Sequence, residues 1–290
     1  MLNHPLYGIK NFQDDHLDDY FYCSDLKSHL ATHKFINEPH KHDTFLTVFF
    51  TQGKGEHTID FTRYEILAGS VFLLMPGQVH SWKLSSNADG FIFFHSRAFF
   101  DDQYVSRRLE DFPFFGNHPS SPLIQPNENE VSKIYNQFNS IKKENQQSLP
   151  FKRAKLTSLV DNLYIELSRI YREPKTEIGN INHYFKLRKL EKLIDENYKT
   201  LKQSSDYAEL MNITPRHLNR IVHGISNKTT GDLIRGRIIL EAKRNLVQKD
   251  TTVGQVADEL GYSDYSYFIR LFKKETGMSP RQFQNLNKRD

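Results

Sequence analysis

The chain has 290 residues, 13% of them aromatic with 22 Phe, and its 39 Lys and Arg against 35 Asp and Glu leave a formal charge of +4. That length holds two hydrophobic cores and that much Phe excludes a disordered chain, while a single cysteine, Cys23, excludes an internal disulfide and a cysteine-built zinc site. No window approaches the length of an apolar membrane span, and the opening residues lack a basic segment followed by an apolar one, so a cytoplasmic protein with no membrane partner is expected.

In chain order, the first part is strand-rich. Short apolar or alternating runs cover 45–50, 57–61, 70–75, 81–84 and 91–95. Turn signals part them at Gly53-Lys54-Gly55, Thr62-Arg63-Tyr64 and Pro76-Gly77. Repeated strands of this length predict an antiparallel sandwich or barrel reaching to about residue 125. His40 and His42 precede the first long strand and His80 follows the Pro76-Gly77 turn, the three histidines being candidates for a binding site. Pro119, Pro122 and Pro126 then break the chain before two helical stripes. Val131, Ile134, Tyr135, Phe138 and Ile141 make the first; Leu156, Leu159, Val160, Leu163, Leu167 and Ile170 make the second. These helices, within about 127–173, either cover the barrel or pair with a second copy of the chain. The polar, proline-bearing stretch from Glu173 and Pro174 to Asn182 is the linker candidate, placed at 174–183. From Lys175 onward 21 Lys and Arg face 14 Asp and Glu, leaving 18 against 21 before it. A basic C-terminal third behind a slightly acidic part suits a nucleic-acid-binding module joined to a domain with another task.

Two similar units follow. In the first, Asp206 is expected to cap a short helix carrying Ala208 and Leu210, Asn212 to make a left-handed turn, and Thr214-Pro215 to start a second helix. That helix has the stripe Leu218, Ile221 and Val222. In the second unit a helix through Ala257 ends at Leu260, Gly261 supplies the turn, and Ser263 or Asp264 caps a helix with the stripe Phe268, Leu271 and Phe272. Gly277 stops it, and Ser279-Pro280 starts another. Each stripe residue repeats at an offset of 50, as do Arg220 with Arg270, Thr229 with Ser279, and Leu233 with Phe283. A repeat kept in register across core, cap and basic position identifies a pair of helix-turn-helices. One helix over 231–248 links them through Leu233, Ile234, Ile238, Ala242 and Leu246.

Two helix-turn-helices joined by a helix resemble the DNA-binding domain of AraC/XylS-type transcription regulators, over about 184–286. The likeness is carried by Ala257, Gly261-Tyr262, Tyr267-Phe268, Arg270, Phe272-Lys273-Lys274, Gly277 and Ser279-Pro280. In the first copy Pro215, Arg216 and His223-Gly224 depart from the family's usual residues. Residues 67–82, with His40, His42, Pro76-Gly77 and His80, resemble the cupin-like jelly-roll sensor domains of the same family. The resemblance implies an α+β protein of two domains: a cupin-like effector-sensing and dimerisation domain over 1–173, whose two helices resemble the unit through which the family's sensor domains pair, and an all-α domain over 184–290. Double-stranded DNA, a small-molecule effector and a second copy are the implied partners, with RNA polymerase a further candidate. Mapped onto this chain, the family's base-reading face falls on Arg216, Asn219 and Arg220 in the first copy and Ser266, Tyr267 and Arg270 in the second. Lys273, Lys274 and Arg281 fall against phosphates. The effector side falls on His40, His42 and His80, with Trp82. In metal-dependent cupins the histidines and a glutamate hold a divalent ion. Here Leu46 stands where that glutamate is expected and no spacing demands Asp43 or Glu56 instead, so neither metal nor cofactor is expected. No nucleophile is paired with a base and an orienting group, so no catalytic residue is assigned. Two other readings compete. One is a cupin oxygenase or isomerase fused to a DNA-binding domain, which a redox metal and turnover would favour. The other is a DNA-binding protein with a ligand-free dimerisation barrel.

Overall fold

The computed structural model describes residues 4–13, 19–104, 108–115, 121–171, 181–248 and 251–287. They fall into two compact units, the first holding the described residues up to Tyr171 and the second those from Ile181 onward.

Two five-stranded sheets build the first unit as a jelly-roll sandwich. One has the order β1-β3-β8-β5-β6: Leu6–Tyr7, His40–His42, Val79–Leu84, Gly55–Ile59 and Thr62–Ile66. The other runs β10-β7-β4-β9-β2: Leu123–Ile124, Val71–Leu74, Phe45–Gln52, Asp89–His95 and Phe21–Asp25. Strand β4 shows why its sequence is apolar throughout. Leu46, Val48 and Phe50 pack between the sheets with Phe72, Trp82, Ile92 and Phe94. Thr47 is buried on the other face, where Phe45, Phe49, Phe91 and Phe93 meet helices. A sheet buried on both faces has no polar phase, whereas β5 and β8 keep one, exposing Lys83 and half-exposing Glu56.

The covering helices are α2 (Arg97–Asp101), α3 (Glu128–Asn145) and α4 (Lys152–Ile170); α1 (Leu26–Thr32) lies at the end of β2. Asn127 caps α3, its side-chain oxygen accepting from the Asn129 and Glu130 amides while Glu130 reaches back to the Asn127 amide. The two helical stripes resolve in favour of the barrel. Ile134, Phe138, Ile141, Leu156, Val160, Leu163 and Leu167 are all buried in the same core as the sheet residues. Only Tyr135 of the expected stripe is largely exposed, and its ring edge still meets Phe91 at 5.4 Å. The expected turn at Thr62-Arg63-Tyr64 is instead the start of β6. Asp60 takes the left-handed conformation, with φ of 51°, and turns the chain one step earlier. Because β6 is an edge strand with Thr62, Arg63 and Glu65 exposed, its alternation carries little apolar signal.

The second unit is helical among its described residues: α5 (Ile181–Asn197), α6 (Ser204–Leu210), α7 (Pro215–Ser226), α8 (Thr230–Leu246), α9 (Val253–Glu259), α10 (Tyr265–Thr276) and α11 (Pro280–Asn287). Leu190, Tyr207, Leu218, Val222, Ile234, Ile238, Ala242, Val256, Phe268 and Phe272 share one core. Residues 174–180 of the expected linker lie outside the described residues, and Ile181 already belongs to α5. Asp206 does not cap α6. Gln203 holds that position, and the Asp206 carboxylate accepts from its amide at 3.1 Å from inside the first turn.

Candidate nucleic-acid interface and barrel site

Each helix-turn-helix is set by its turn and cap. In the first, Asn212 turns the chain with φ of 54°, and the Thr214 hydroxyl accepts from the His217 amide at 3.2 Å with Pro215 opening α7. In the second, Gly261 has φ of 74°, and a Cβ there would lie 2.0 Å from the Lys199 carbonyl, so no side chain fits. Asp264 is the cap of α10, accepting from the Tyr267 amide at 3.0 Å. Tyr265 donates to the Asp258 carboxylate at 2.8 Å and ties α10 to α9. Asn227 and Gly277 end α7 and α10 in the left-handed conformation, fifty residues apart.

The expected stripes Leu218, Ile221, Val222 and Phe268, Leu271, Phe272 are buried, which turns the opposite faces outward. Arg216 and Arg220 on α7, and Ser266, Tyr267, Arg270, Lys273 and Lys274 on α10, are exposed, as is Arg281 on α11. Arg220 donates to His217 Nδ1 at 2.7 Å, so the guanidinium is held by a neighbour one turn earlier. Asn219 differs from its expected place. It is half-buried, and its side-chain oxygen accepts from the Thr230 amide at 2.9 Å, capping the start of α8. The paired oxygen and amide with which asparagine reads adenine are therefore only half available.

Cations fix the two halves to each other. The Lys202 ammonium donates to the carbonyls of Lys199 at 2.8 Å and Leu260 at 2.6 Å, joining the end of α5 to the end of α9. Burial pushes this amine down to about 8. Arg237 on α8 bonds Asp195 of α5 at 2.8 Å and Glu241 at 2.7 Å while stacking over Tyr198. Arg235 of α8 bonds Glu275 of α10 at 3.0 Å. These ties, with the buried face of α8, hold the two outward faces at one separation. Sequence alone does not reveal the ties between helices, because Lys202 and Leu260, Arg237 and Asp195, and Arg235 and Glu275 lie tens of residues apart.

In the barrel, register brings the expected histidines together. His40 on β3 sits directly opposite His80 on β8, with His42 two residues along on the same face. One nitrogen from each of His40, His42 and His80 lies within 4.8 Å of the others. The Nε2 atoms of His42 and His80 are 3.0 Å apart, and His80 Nδ1 is 2.9 Å from His57 Nε2. His40 Nδ1 donates to the Glu38 carbonyl at 2.8 Å. All four rings are buried. Loss of water pushes His40 down to about 4 and His57 to about 3, and holds His42 and His80 well below the usual imidazole range. Trp82 packs its ring 5.2 Å from both His57 and His80. Asp43 is exposed, and Glu56 lies 3.8 Å from Arg63 on the outer face, so neither carboxylate joins the cluster. His57 was missed as a site residue, although its place two residues before inward Ile59 on β5 carries the signal.

Comparison with known proteins gives the same division. A model for an AraC-like ligand binding domain matches residues 26–159, and one for a helix-turn-helix domain matches residues 207–286. The chain is 30% identical over 95 residues to the bifunctional transcriptional activator/DNA repair enzyme AdaA of Bacillus subtilis, covering 33% of this chain and 45% of that protein. It is 22% identical over 251 residues to the transcriptional activator RhaS of Pectobacterium atrosepticum, covering 85% and 87%. With RhaR of Escherichia coli K12 it shares 20% over 276 residues, covering 93% and 96%. Among solved structures, ToxT of Vibrio cholerae with a bound unsaturated fatty acid matches at a TM-score of 0.42 and 15% identity, covering 94% of this chain and 99% of that one. Among the described residues no helix is long and apolar enough to cross a membrane. An N-terminal AraC-like ligand-binding barrel followed by a double helix-turn-helix places this chain in the AraC family of transcriptional regulators.

Proposed function

We propose that the chain is a cytoplasmic regulator that reads two successive major-groove segments with α7 and α10 and answers to a small effector held in the barrel. The observation that carries this reading is the pairing of exposed Arg220 and Arg270, fifty residues apart on outward faces whose opposite sides are buried. Two such helices on a shared core suit segments about one helical turn apart, roughly 34 Å. Arg216, Arg220 and Arg270 are assigned to guanine edges. Ser266 and Tyr267 complete the face on α10, Tyr267 and Ile269 meeting thymine methyls. Asn219 enters with its side-chain NH2 donor alone, its oxygen serving α8. Lys273, Lys274 and Arg281 are assigned to phosphates, which position the protein without specifying sequence. His40, His42, His80 and Trp82 line the effector site. A second copy of the chain and RNA polymerase complete the partners, and no catalytic residue is assigned. Pairing of two chains does not use the α3 and α4 stripes, which the barrel covers.

Selection of bound sequences from random DNA by the full chain tests the reading. Two short conserved blocks spaced by about one helical turn are expected. A single block, or no enrichment at low salt, would overturn the assignment of both helices to base reading.

A further inference from the structure

We propose that His217 of α7 and Lys186 of α5 together hold a DNA backbone phosphate beside the first recognition helix, and that this contact takes up a proton at His217. The assignment rests on the reading of α7 as a helix lying in the major groove. Arg220 donates to His217 Nδ1 at 2.7 Å, so the ring is neutral and carries its one proton on Nε2. The ring of His183, in the first turn of α5, stands 6.4 Å away and nearly edge-on, at an interplanar angle of 79°. Helices α5, α6 and α8 all pack on α7. The groups whose charge acts on His217 are Arg220 of its own helix and Lys186 and His183 of α5, and no carboxylate of these four helices is among them. Elsewhere in the helical unit cations meet acids, as Arg235 does Glu275 and Arg237 does Asp195 and Glu241. Around His217 they do not. Loss of water, followed by Arg220, Lys186 and His183, lowers its imidazole below the ordinary 6.5. Basic groups gathered without an acid form the electrostatic footprint of an anion site.

Position selects the anion. His217 is the third residue of α7 and lies on the α5 side of the row formed by Arg216 and Arg220. With that row against base edges, a side chain on the flank of the helix meets the phosphate rail of the groove. A phosphate oxygen accepting from Nε2 favours the imidazolium, so the ring gains its second proton from solvent at Nδ1. That proton removes the lone pair to which Arg220 donates, and the two cations then repel. Seating the phosphate therefore releases the Arg220 guanidinium toward the guanine edge. The complex holds more protons than the free chain, so affinity rises as pH falls through the raised value and levels off below the free one. A rise of about one pH unit in the bound ring gives about tenfold in affinity.

The test is fluorescence anisotropy of the full chain on its selected DNA between about pH 8 and 6, at several salt concentrations. The wild-type chain should bind up to about tenfold more tightly at the lower pH. His217→Gln should hold the weaker affinity throughout, whereas His217→Lys, charged at every pH used, should bind tightly with no pH response. Lys186→Gln should lower the salt slope by about one and keep the pH response. His223→Gln, which removes an exposed imidazole further along α7, should behave as wild type. Thermal melts at each pH verify that the variants are folded, which a change on this exposed flank should leave unaltered. A wild-type affinity independent of pH, or a response kept in His217→Gln and lost in His223→Gln, would overturn the phosphate contact. A chain that enriches no DNA sequence overturns the groove reading and this contact together. One that binds selected DNA with equal pH slopes in wild type and His217→Gln overturns the contact alone.

Discussion

At the scale of single residues, the outward faces of α7 and α10 separate reading from positioning. Arg270→Ala should weaken specific binding by about 1–3 kcal/mol and relax preference at one base position, whereas Lys274→Ala should weaken all sequences alike and lower the salt slope by about one. Binding isotherms at several salt concentrations on selected and scrambled DNA check both. If the selected sequence is unchanged by Arg270→Ala, α10 does not lie in the groove as assigned. Asn219 predicts a different outcome. With its oxygen on the Thr230 amide, Asn219→Ala should cost about 1 kcal/mol of stability in the helical unit, as loss of a helix cap does. Denaturant unfolding of the variant measures this, and unchanged stability together with a lost adenine preference would restore its reading role. The exposed arginines were legible from sequence because a buried stripe dictates which residues face outward. Asn219 was not, since its partner is eleven residues away on another helix.

At the scale of elements, the helices over the barrel show where pattern reading stops. Periodicity identifies the buried stripe of α4, but not what buries it. Leu163 packs against the sheet core, so Leu163→Glu should place an unpaired charge there and unfold the first unit, a loss of more than about 4 kcal/mol. Circular dichroism and sedimentation of the variant check this, and a folded, altered oligomer would return the stripe to a role in pairing. A second tie fixes the same helix. Tyr164 donates to His95 Nε2 at 2.8 Å and accepts from Thr47 at 3.1 Å, while His95 Nδ1 donates to the Ser96 carbonyl at 3.0 Å. Burial holds His95 down to about 4 against an ordinary 6.5. The unfolded chain therefore binds more protons between those values, so this contribution is complete above pH 6.5 and is lost as pH falls. The barrel should lose about 2 kcal/mol through His95 between pH 8 and 5. Urea unfolding at the two pH values, compared with His95→Gln, isolates the effect; an equal slope in the variant would show that other histidines carry it.

At the scale of the whole molecule, the repeat in the C-terminal part was the strongest sequence signal because two copies test each other. Fifty-residue register in stripe, cap and helix stop leaves few other folds for the helical unit. The barrel's interior was less legible. Register between β3, β5 and β8 decides which histidines meet, and β3 is too short to show a period. The helical unit has its own core, from Leu187 to Phe283, and none of the barrel residues belongs to it. A fragment starting at about residue 181 should therefore fold and bind the selected DNA. It should bind more weakly than the full chain if two chains pair, because a second set of helices no longer acts at high effective concentration. It should also be indifferent to effector, since a ligand shifts an equilibrium only by binding its states unequally and the fragment lacks the site. Fluorescence anisotropy on one-site and two-site DNA, with and without a pool of small metabolites, measures all three. Equal affinity of fragment and full chain on two-site DNA would remove pairing from the mechanism. A fragment that still responded to the metabolite pool would move the sensing step out of the barrel.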